Sequence, residues 1–413
     1  MNNSSGRVTR ALMRKLGMTT AGATLGAYGV SAGAYDWLST WPTQFRTDDG
    51  YEIGIKGNYQ ADVNNYSGDR ADPVTGKEIL VDSTTWRRKE FYVYAKAPFG
   101  VEAAIGYDFA GKAWLDDFLR YSNKQIGDFR LGQFKTPVGW EEAEASTATT
   151  FMERSLPVQA TNMGRRLGVD WTYQGMPQWL LALAYYSGGD LNGDNDGNGP
   201  AAHLVFNPIK ENDEIVHLGI AASRENRSAT TDGRGITTTP IARFRARAEA
   251  NLTSTRILDT GNLKNADSID RAGLEGAWIH GPLLLQGEYL HFRANFSDGK
   301  ATYSGGGYYV SGSWVLTGES RAYQNGYVGT VKPAGEYGAF EIAARYSALD
   351  LNDAAVYGGK GHDWTIGANW YLGTHLKFQA NYVRAYSTKY YSGPKRYLDV
   401  DPEIFELRAQ LYF

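Results

Sequence analysis

Most of the chain consists of segments in which apolar and polar residues alternate one by one. Near residue 413 the apolar face of one such segment comprises Phe405, Leu407, Ala409, Leu411 and Phe413. A period of two residues is typical of a β-strand with two different faces. The same alternation recurs over 167–173, 340–346, 364–372 and 376–382. The sequence therefore predicts an all-β protein with almost no helix.

Seventeen segments fit the strand pattern, beginning near residues 51, 86, 100, 114, 126, 166, 177, 200, 214, 241, 269, 282, 306, 338, 362, 375 and 404. Segments of about ten residues with aromatic rings near their ends are typical of membrane β-barrels with a wet interior. Bacterial barrels have an even number of strands, with short turns at the periplasmic end. Tight connections occur at 97–100, 174–177, 280–282 and 372–374.

All four tight connections reach the periplasmic end only if one segment between 223 and 269 is not part of the wall. The surplus segment is 241–250, because long polar stretches flank it on both sides. We therefore predict a 16-stranded antiparallel transmembrane β-barrel with inward-folded loops, which is wide enough for an aqueous channel.

Composition supports a wet barrel and excludes several other classes. The 413 residues include 49 Gly, 28 Tyr, 11 Trp and no Cys. The absence of Cys excludes disulfides, thiol catalysis and zinc knuckles. A mean hydropathy of −0.44 argues against a bundle of apolar membrane helices. Barrel strands need an apolar residue only at every second position, so the low hydropathy is compatible with a barrel.

The first 34 residues have the features of a signal peptide. Four cations, Arg7, Arg10, Arg14 and Lys15, precede an uncharged stretch that ends in Ala32-Gly33-Ala34. Small residues at that position are what signal peptidase requires. We predict a signal peptide over 1–34 and a barrel domain over 35–413. The mature chain then has 38 Lys and Arg against 45 Asp and Glu, a net charge of −7.

The surplus segment carries three arginines, Arg243, Arg245 and Arg247, on one face of an extended chain. Successive residues on one face of a strand lie about 6.6–6.8 Å apart. Arginine is always charged and binds phosphate oxygens in a bidentate manner. If the segment folds into the lumen, these side chains form a ladder for anions. The alternative is an edge strand whose arginines pair with acidic neighbours.

A second candidate constriction is the long connection after the fifth strand, from Thr136 to Arg166. In sixteen-stranded porins the loop at this position commonly narrows the pore. Its charges are mixed in sign: Glu141, Glu142 and Glu144 come before Arg154, Arg165 and Arg166. The alternative is a charged loop that is simply solvated.

Enzymatic and metal-binding interpretations have little support. The six His residues show no metal-ligand spacing, and no local motif proposes a nucleophile with a base. The acidic run at 190–196 could bind Ca²⁺, although a solvated loop is favoured. We expect no enzymatic activity, no cofactor, no metal and no nucleic-acid partner. The alternative to a membrane channel, from a different functional class, is a secreted β-structured enzyme or binding protein.

Several blocks of sequence resemble the phosphate- and polyphosphate-selective porins (porin O and porin P) of bacterial outer membranes. They are the segments 132–137, 151–157, 164–166, 316–323 and 338–347, in this order. The resemblance implies an outer-membrane homotrimer of sixteen-stranded barrels that passes phosphate or other small anions and has outer-membrane lipid as a partner. It also implies an arginine ladder on an inward-folded fifth loop and a basic constriction.

The resemblance assigns the ladder to Arg243, Arg245 and Arg247. It matches Arg87 and Arg88 to a basic pair at the pore wall and Arg154 to the arginine of the constriction loop. It implies a further cation from the periplasmic side, which is Arg321 or Lys332.

One departure from the family concerns the constriction loop. Porin P has a lysine there, whereas this chain has Glu141, Glu142 and Glu144. A carboxylate at the narrowest point would repel phosphate or pair with an arginine. Phosphate, pyrophosphate, polyphosphate and a broader anion preference all stay open, as does a general or weakly selective porin.

Overall fold

The computed structural model describes residues 41, 43–231, 233–353 and 355–413. The predicted signal peptide over 1–34 lies outside the described residues. Within the described part of the chain, no helix is long and apolar enough to cross a membrane.

Sixteen antiparallel strands form a closed barrel, which confirms the predicted fold class. The strands are β1 Glu52–Gly68, β2 Ser83–Lys96, β3 Val101–Asp108, β4 Asp117–Asn123, β5 Gly127–Lys135, β6 Arg165–Tyr173, β7 Trp179–Tyr186, β8 Gly199–Lys210, β9 Glu214–Asn226, β10 Ala266–His280, β11 Leu283–Phe296, β12 Tyr303–Val315, β13 Ala339–Asp353, β14 Val356–Leu372, β15 Leu376–Tyr391 and β16 Pro402–Tyr412. Each strand pairs with its neighbour in sequence. The barrel closes where β1 pairs with β16, from Asn58 opposite Tyr412 to Gly68 opposite Pro402.

The two faces of each strand are inverted relative to a soluble protein. On β16, Phe405 and Leu407 point outward and are 44% and 43% exposed, whereas Glu406 and Arg408 point inward and are buried. On β14, Ile366 is 63% exposed. Outward apolar and inward polar residues are what a barrel needs when lipid surrounds it and water fills it.

Short turns join the strands at one end, and the longer loops lie at the other end. Gly281 and Gly373 have φ of 52° and 60°, a backbone conformation that suits the tight turns after β10 and β14. This end is periplasmic by the general rule for barrels. One connection there is long: residues 316–338 contain a hairpin of Arg321–Gln324 and Tyr327–Val331. The sequence did not predict this hairpin.

Two long extracellular loops fold into the barrel. The first, the constriction loop (136–164), contains the short helices α1 Trp140–Ala143 and α2 Leu156–Thr161. The second, the ladder loop (227–265), contains the segment 241–250. That segment forms no wall strand; instead Ile241–Ala242 pairs with Leu263–Lys264 inside the loop. The exclusion of this segment from the wall is therefore confirmed.

Alternation with a period of two determines which face of the ladder loop packs against the barrel wall. The small and apolar residues at even positions are all buried: Ala242, Phe244, Ala246, Ala248 and Ala250. Phe244 stacks on Phe292 of β11, with ring centroids 4.2 Å apart. The arginines at the odd positions between them point away from this apolar contact, toward the lumen.

Candidate functional site

A continuous cavity of about 1200 Å³ runs through the barrel. Its lining includes Arg256 from the ladder loop and Asp194 from the extracellular loop after β7. At the opposite end it includes Gln174 and Asn325, which lie in periplasmic connections. The cavity therefore reaches both ends of the barrel.

The lining of this cavity is cationic although the 413-residue chain has a net charge of −3. It contains thirteen Lys and Arg side chains against eight Asp and Glu. The cations are Lys56, Arg87, Arg88, Arg120, Arg130, Lys135, Arg154, Arg165, Arg243, Arg245, Arg247, Arg256 and Arg408. Six of the eight residues named from the sequence as anion-binding candidates are among them.

Arg243, Arg245 and Arg247 all line the cavity, but their partners differ. Arg243 forms a bidentate ion pair with Asp259, through Nε at 2.8 Å and Nη2 at 2.5 Å. Arg247 donates through Nη1 to the side chain of Asn251, while its buried Nε has no hydrogen-bond partner. Arg245 is exposed and, among the described residues, forms no side-chain hydrogen bond or ion pair. Of the three arginines, Arg245 is thus the one most available to an anion.

Arg256 is a fourth arginine of this cluster that the sequence did not single out. Burial lowers its pKa to about 10, and the positive charges of Arg247 and Arg245 add to that shift. The pKa of Arg247 is also lowered, first by burial and then by Arg87 and Arg245, against the opposing effect of Glu153. Crowded cations of this kind are stabilised when an anion enters between them.

The wall and loop arginines are paired with carboxylates. Arg87 binds Glu153 through Nε at 2.9 Å and Nη2 at 3.2 Å, and Arg88 binds Glu90 at 2.7 Å. Arg408 also contacts Glu153, at 2.9 Å. Burial alone would raise the pKa of Glu153, but Arg87 and Arg408 hold it well below its usual range. These arginines line the lumen, but the neighbouring carboxylates of Glu153 and Glu90 offset part of their positive charge.

Three of the four glutamates of the constriction loop, Glu141, Glu142 and Glu144, lie in different environments. Glu142 lines the cavity and pairs with Arg154 at 3.4 Å and with Lys135 at 4.0 Å. Glu141 is buried and accepts hydrogen bonds from the amide and hydroxyl of Ser155. Glu144 is buried, and its Oε1 has no hydrogen-bond partner. Of these three, only Glu142 lines the cavity, as Glu153 of the same loop also does.

Arg321 and Lys332 do not line the cavity. Arg321 is buried and forms a bidentate ion pair with Glu341, at 2.9 and 2.7 Å. It also donates to Tyr371 Oη at 3.0 Å. Lys332 is exposed in the periplasmic connection. Arg321 therefore stabilises the packing between the periplasmic hairpin and the barrel wall. A role of Lys332 in anion binding stays a prediction.

Buried side chains hold the constriction loop by its backbone. Arg321 donates to the carbonyl of Ala148 at 2.9 Å, and Lys377 donates to that of Thr149 at 2.6 Å. Three further donors bind the carbonyls of residues 150, 152 and 153; they are Asn369, Arg408 and Arg345. The donors come from the hairpin and from β13 to β16, so five elements fix the position of one loop segment.

Arg345 of β13 connects both inward-folded loops. It donates to Glu141 Oε1 of the constriction loop at 2.7 Å and to Glu249 Oε2 of the ladder loop at 2.6 Å. Ser347 and Thr365 also donate to Glu249. Arg345 and Glu249 are both buried. Arg345 thus joins the two loops, which also contact each other directly through a hydrogen bond from the amide of Arg247 to Gln159 Oε1.

The periplasmic hairpin also supports the constriction loop. Trp140 Nε1 donates to the carbonyl of Gly326 at 2.8 Å, and its ring stacks on His217 with centroids 4.5 Å apart. His217 Nδ1 lies 2.6 Å from Tyr323 Oη of the hairpin. Glu288 of β11 accepts the amide of Trp140 at 2.7 Å. No local sequence pattern predicts this contact, because the partners are far apart along the chain.

Glu144 predicts a pH dependence of stability. Burial raises its pKa to about 7, and Glu141 contributes to the rise, whereas Arg154 opposes it. The folded protein therefore keeps a proton that the unfolded chain loses near pH 4.5, so stability falls as pH rises from about 4.5 to about 7. We expect Glu144→Gln to stabilise the protein more at pH 8 than at pH 5 in thermal unfolding followed by circular dichroism. An equal effect at both pH values would contradict this assignment.

A closed sixteen-stranded barrel with a polar, inwardly constricted lumen is the architecture of an outer-membrane porin. The model of the family "Phosphate-selective porin O and P" matches residues 53–413. The chain therefore belongs to the family of phosphate-selective porins O and P, a family of channels of the bacterial outer membrane.

Individual relatives agree with this family. The chain is 26% identical over 390 residues to Porin O of Pseudomonas aeruginosa, covering 83% of this chain and 85% of that protein. It is 31% identical over 278 residues to an uncharacterized protein of Caulobacter vibrioides, covering 62% of this chain but only about half, 54%, of that relative. The fold resembles OmpT of Vibrio cholerae in its trimer form, with a TM-score of 0.56 at 11% identity over 88% of this chain and 100% of that one.

Proposed function

We propose that this porin passes small anions by diffusion, with phosphate-type oxyanions held in turn by Arg243, Arg245 and Arg247. The observation that carries the proposal is the surplus of cations in the cavity lining, with the guanidinium of Arg245 unpaired among the described residues. Arg247 and Arg256 lie next to it and share its positive field. Arg87, Arg88 and Arg154 extend this field to the wall and the constriction loop.

The strength of such sites is suitable for transport. A unit anion 4 Å from a guanidinium gains about 4 kcal/mol at an effective dielectric constant near 20. Desolvation of the anion offsets part of this gain, so that each site is weak enough for release. Successive arginines of the ladder about 6.6–6.8 Å apart would let an anion approach one guanidinium group before it leaves the previous one. A sequence of weak sites is what conduction requires.

The paired carboxylates bear on which anion is preferred. Glu142, Glu153 and Glu90 offset the nearby cations Arg154, Arg87 and Arg88. This pairing favours a preference for anions as a class, with phosphate, pyrophosphate and polyphosphate bound mainly at the ladder. A weakly selective porin is the second candidate, and the same pairing is the observation that favours it.

The test is reversal potential and phosphate block in planar bilayers. We expect anion selectivity in asymmetric KCl and a decrease in chloride current on addition of millimolar phosphate or pyrophosphate. Arg245→Ala with Arg247→Ala should weaken the block about tenfold or more, since two charge-assisted contacts are removed. The matched control is Arg396→Ala, which removes one exposed cation outside the cavity.

Two outcomes would contradict the proposal. Cation selectivity of the wild-type channel would exclude an anion channel. Anion selectivity without any block by phosphate or pyrophosphate would leave the weakly selective porin in its place.

We also propose that the protein is a homotrimer. The strands β3 to β7 have only seven to nine residues, whereas the other wall strands have eleven to seventeen. This low side of the barrel exposes large apolar residues, including Ile105, Leu119 and Leu131, each more than half exposed. A contiguous apolar patch on a low wall suits contact with two further copies of the chain.

A further inference from the structure

Glu153 of the constriction loop is a carboxylate on which the guanidinium groups of two wall strands converge. Its Oε1 accepts hydrogen bonds from Arg87 Nε and from Arg408 Nη2, each at 2.9 Å. Its Oε2 accepts a third, from Arg87 Nη2, at 3.2 Å. All three side chains line the cavity. A negative charge of the protein itself therefore lies among the cations that the channel offers to its anions.

The contacts of Glu153 are those that a free oxyanion would make. Nε and Nη2 of one arginine bind two oxygens of a carboxylate side by side, and they bind two oxygens of a phosphate in the same way. Among the described residues, Arg87 forms no ion pair except that with Glu153. Arg408 has a second carboxylate, because it also pairs with Asp62 at 2.8 and 2.6 Å. If the carboxylate of Glu153 moves away, Arg87 is the cation that becomes available.

Arg247 connects this site to the ladder. Burial lowers the pKa of Arg247, and the largest opposing effect comes from the negative charge of Glu153. The buried Nε of Arg247 nevertheless has no hydrogen-bond partner. Both oxygens of Glu153 already accept hydrogen bonds from Arg87 and Arg408, whereas a phosphate has further oxygens for another arginine. A phosphate at this position could therefore contact Arg87 and Arg247 together, which the carboxylate does not.

The carboxylate of Glu153 can leave this position while the loop stays in place. Arg345 Nη2 donates to the carbonyl of Glu153 at 2.8 Å, and Arg408 Nη1 donates to the carbonyl of Met152 at 2.7 Å. These bonds hold the main chain and do not involve the carboxylate. A glutamate side chain has several rotatable bonds, and that of Glu153 borders the open cavity. Rotation of this side chain therefore requires no movement of the loop.

We propose that Glu153 is a tethered counter-anion, which occupies an oxyanion site formed by Arg87, Arg408 and Arg247 and yields it to a phosphate-type anion that arrives from the ladder. This inference rests on the function proposed above and extends it from the ladder to the constriction. Conduction requires binding weak enough for release. Competition with the carboxylate weakens the binding of each anion at this site, because the anion gains contacts with the arginines only as Glu153 loses them. The carboxylate then returns to Arg87 as the anion leaves.

The experiment measures block of the chloride current by inorganic phosphate and by pyrophosphate in single channels of the full-length protein. We expect Glu153→Gln to lower the phosphate concentration for half block about tenfold and to lengthen each blocking event, because the competing charge-assisted contacts with Arg87 are lost. Glu153→Asp keeps the charge on a shorter side chain and should give an intermediate value. Glu102→Gln is the matched control: Glu102 of β3 also lines the cavity and pairs with an arginine, Arg120, at 3.3 Å, but it lies near the periplasmic end.

The outcomes distinguish this inference from the function on which it rests. Half block at the same phosphate concentration in wild type and Glu153→Gln would overturn the counter-anion and leave the ladder in place. Equal shifts in Glu153→Gln and Glu102→Gln would also overturn it, since the effect would then follow from the charge of the lining as a whole. Block of Glu153→Gln alone would support the counter-anion but not phosphate binding by the wild-type channel, and absence of block in both would overturn both proposals.

Glu153→Asp decides the question if Glu153→Gln does not assemble into channels. It retains the negative charge beside Arg408 and Arg87, so a loss of folding is not expected from an unpaired cation. A concentration for half block equal to that of wild type would overturn the counter-anion, and a lower concentration with longer blocking events would support it. A purely structural ion pair would alter the stability of the protein but not the duration of phosphate block.

Discussion

Replacing Arg345 by methionine is expected to lower the free energy of unfolding by about 3–5 kcal/mol, the range for removing one partner of a buried ion pair. The buried guanidinium holds Glu141 of the constriction loop and Glu249 of the ladder loop. Without it both carboxylates lose their cation in a buried site. Denaturant unfolding measures the stability, and single-channel recording should show a larger and noisier conductance as the loops leave the lumen.

A second substitution, at Glu249, measures how much of this loss comes from the ion pair between Arg345 and Glu249. Arg345→Met combined with Glu249→Gln should recover part of the loss, because one unpaired carboxylate is removed and the two effects are not additive. Arg224→Met is the control, since Arg224 is an exposed arginine of β9 whose surface ion pair with Asp270 contributes about 0–1 kcal/mol. Unchanged conductance in Arg345→Met would show that other contacts hold the loops.

Glu142→Gln is expected to increase anion selectivity. Burial raises the pKa of Glu142, but Lys135 and Arg154 lower it below its usual value, so the carboxylate is ionised at pH 7. Its removal leaves the positive charges of Lys135 and Arg154 without this partner in the cavity lining. Reversal potential in asymmetric KCl should shift toward that of chloride, with a permeability ratio roughly threefold higher and a smaller change at high salt.

Glu336→Gln is the matched control for this effect. Glu336 is exposed in the periplasmic connection and does not line the cavity. The same charge is removed from the protein, but at a distance from the channel, where salt screens it. If both variants shift the reversal potential equally, net charge rather than the position of Glu142 determines selectivity.

The barrel could be predicted because its determinants are local. Alternation with a period of two marks each strand, as at 364–372 and 376–382. The parity of tight turns then shows that 241–250 is not a wall strand. Both arguments depend only on residues near each other along the chain, and the structure confirms the sixteen-stranded barrel.

The site was less predictable because its partners are distant in sequence. Alternation placed the side chains of Arg243, Arg245 and Arg247 on one face, but not the pairing of Arg243 with Asp259. Nothing local marks Arg256, which joins the cluster only when the ladder loop folds on itself. The pairing of Arg321 was equally unpredictable. The sequence motif around Arg321 is recognisable, but its guanidinium forms an ion pair with Glu341 of β13.

The anchoring of the constriction loop through carbonyl oxygens has a consequence for how such channels diversify. The bonds that hold residues 148–153 reach the main chain, which every amino acid provides. These five bonds therefore do not depend on which side chains the segment carries, whereas Phe151 and Met152 are buried and Glu153 is paired with Arg87 and Arg408. Substitutions that keep this packing and pairing leave the course of the main chain around the aperture in place, so the chemistry of the aperture can vary at neighbouring loop positions that line the cavity, such as Ser146 and Thr147.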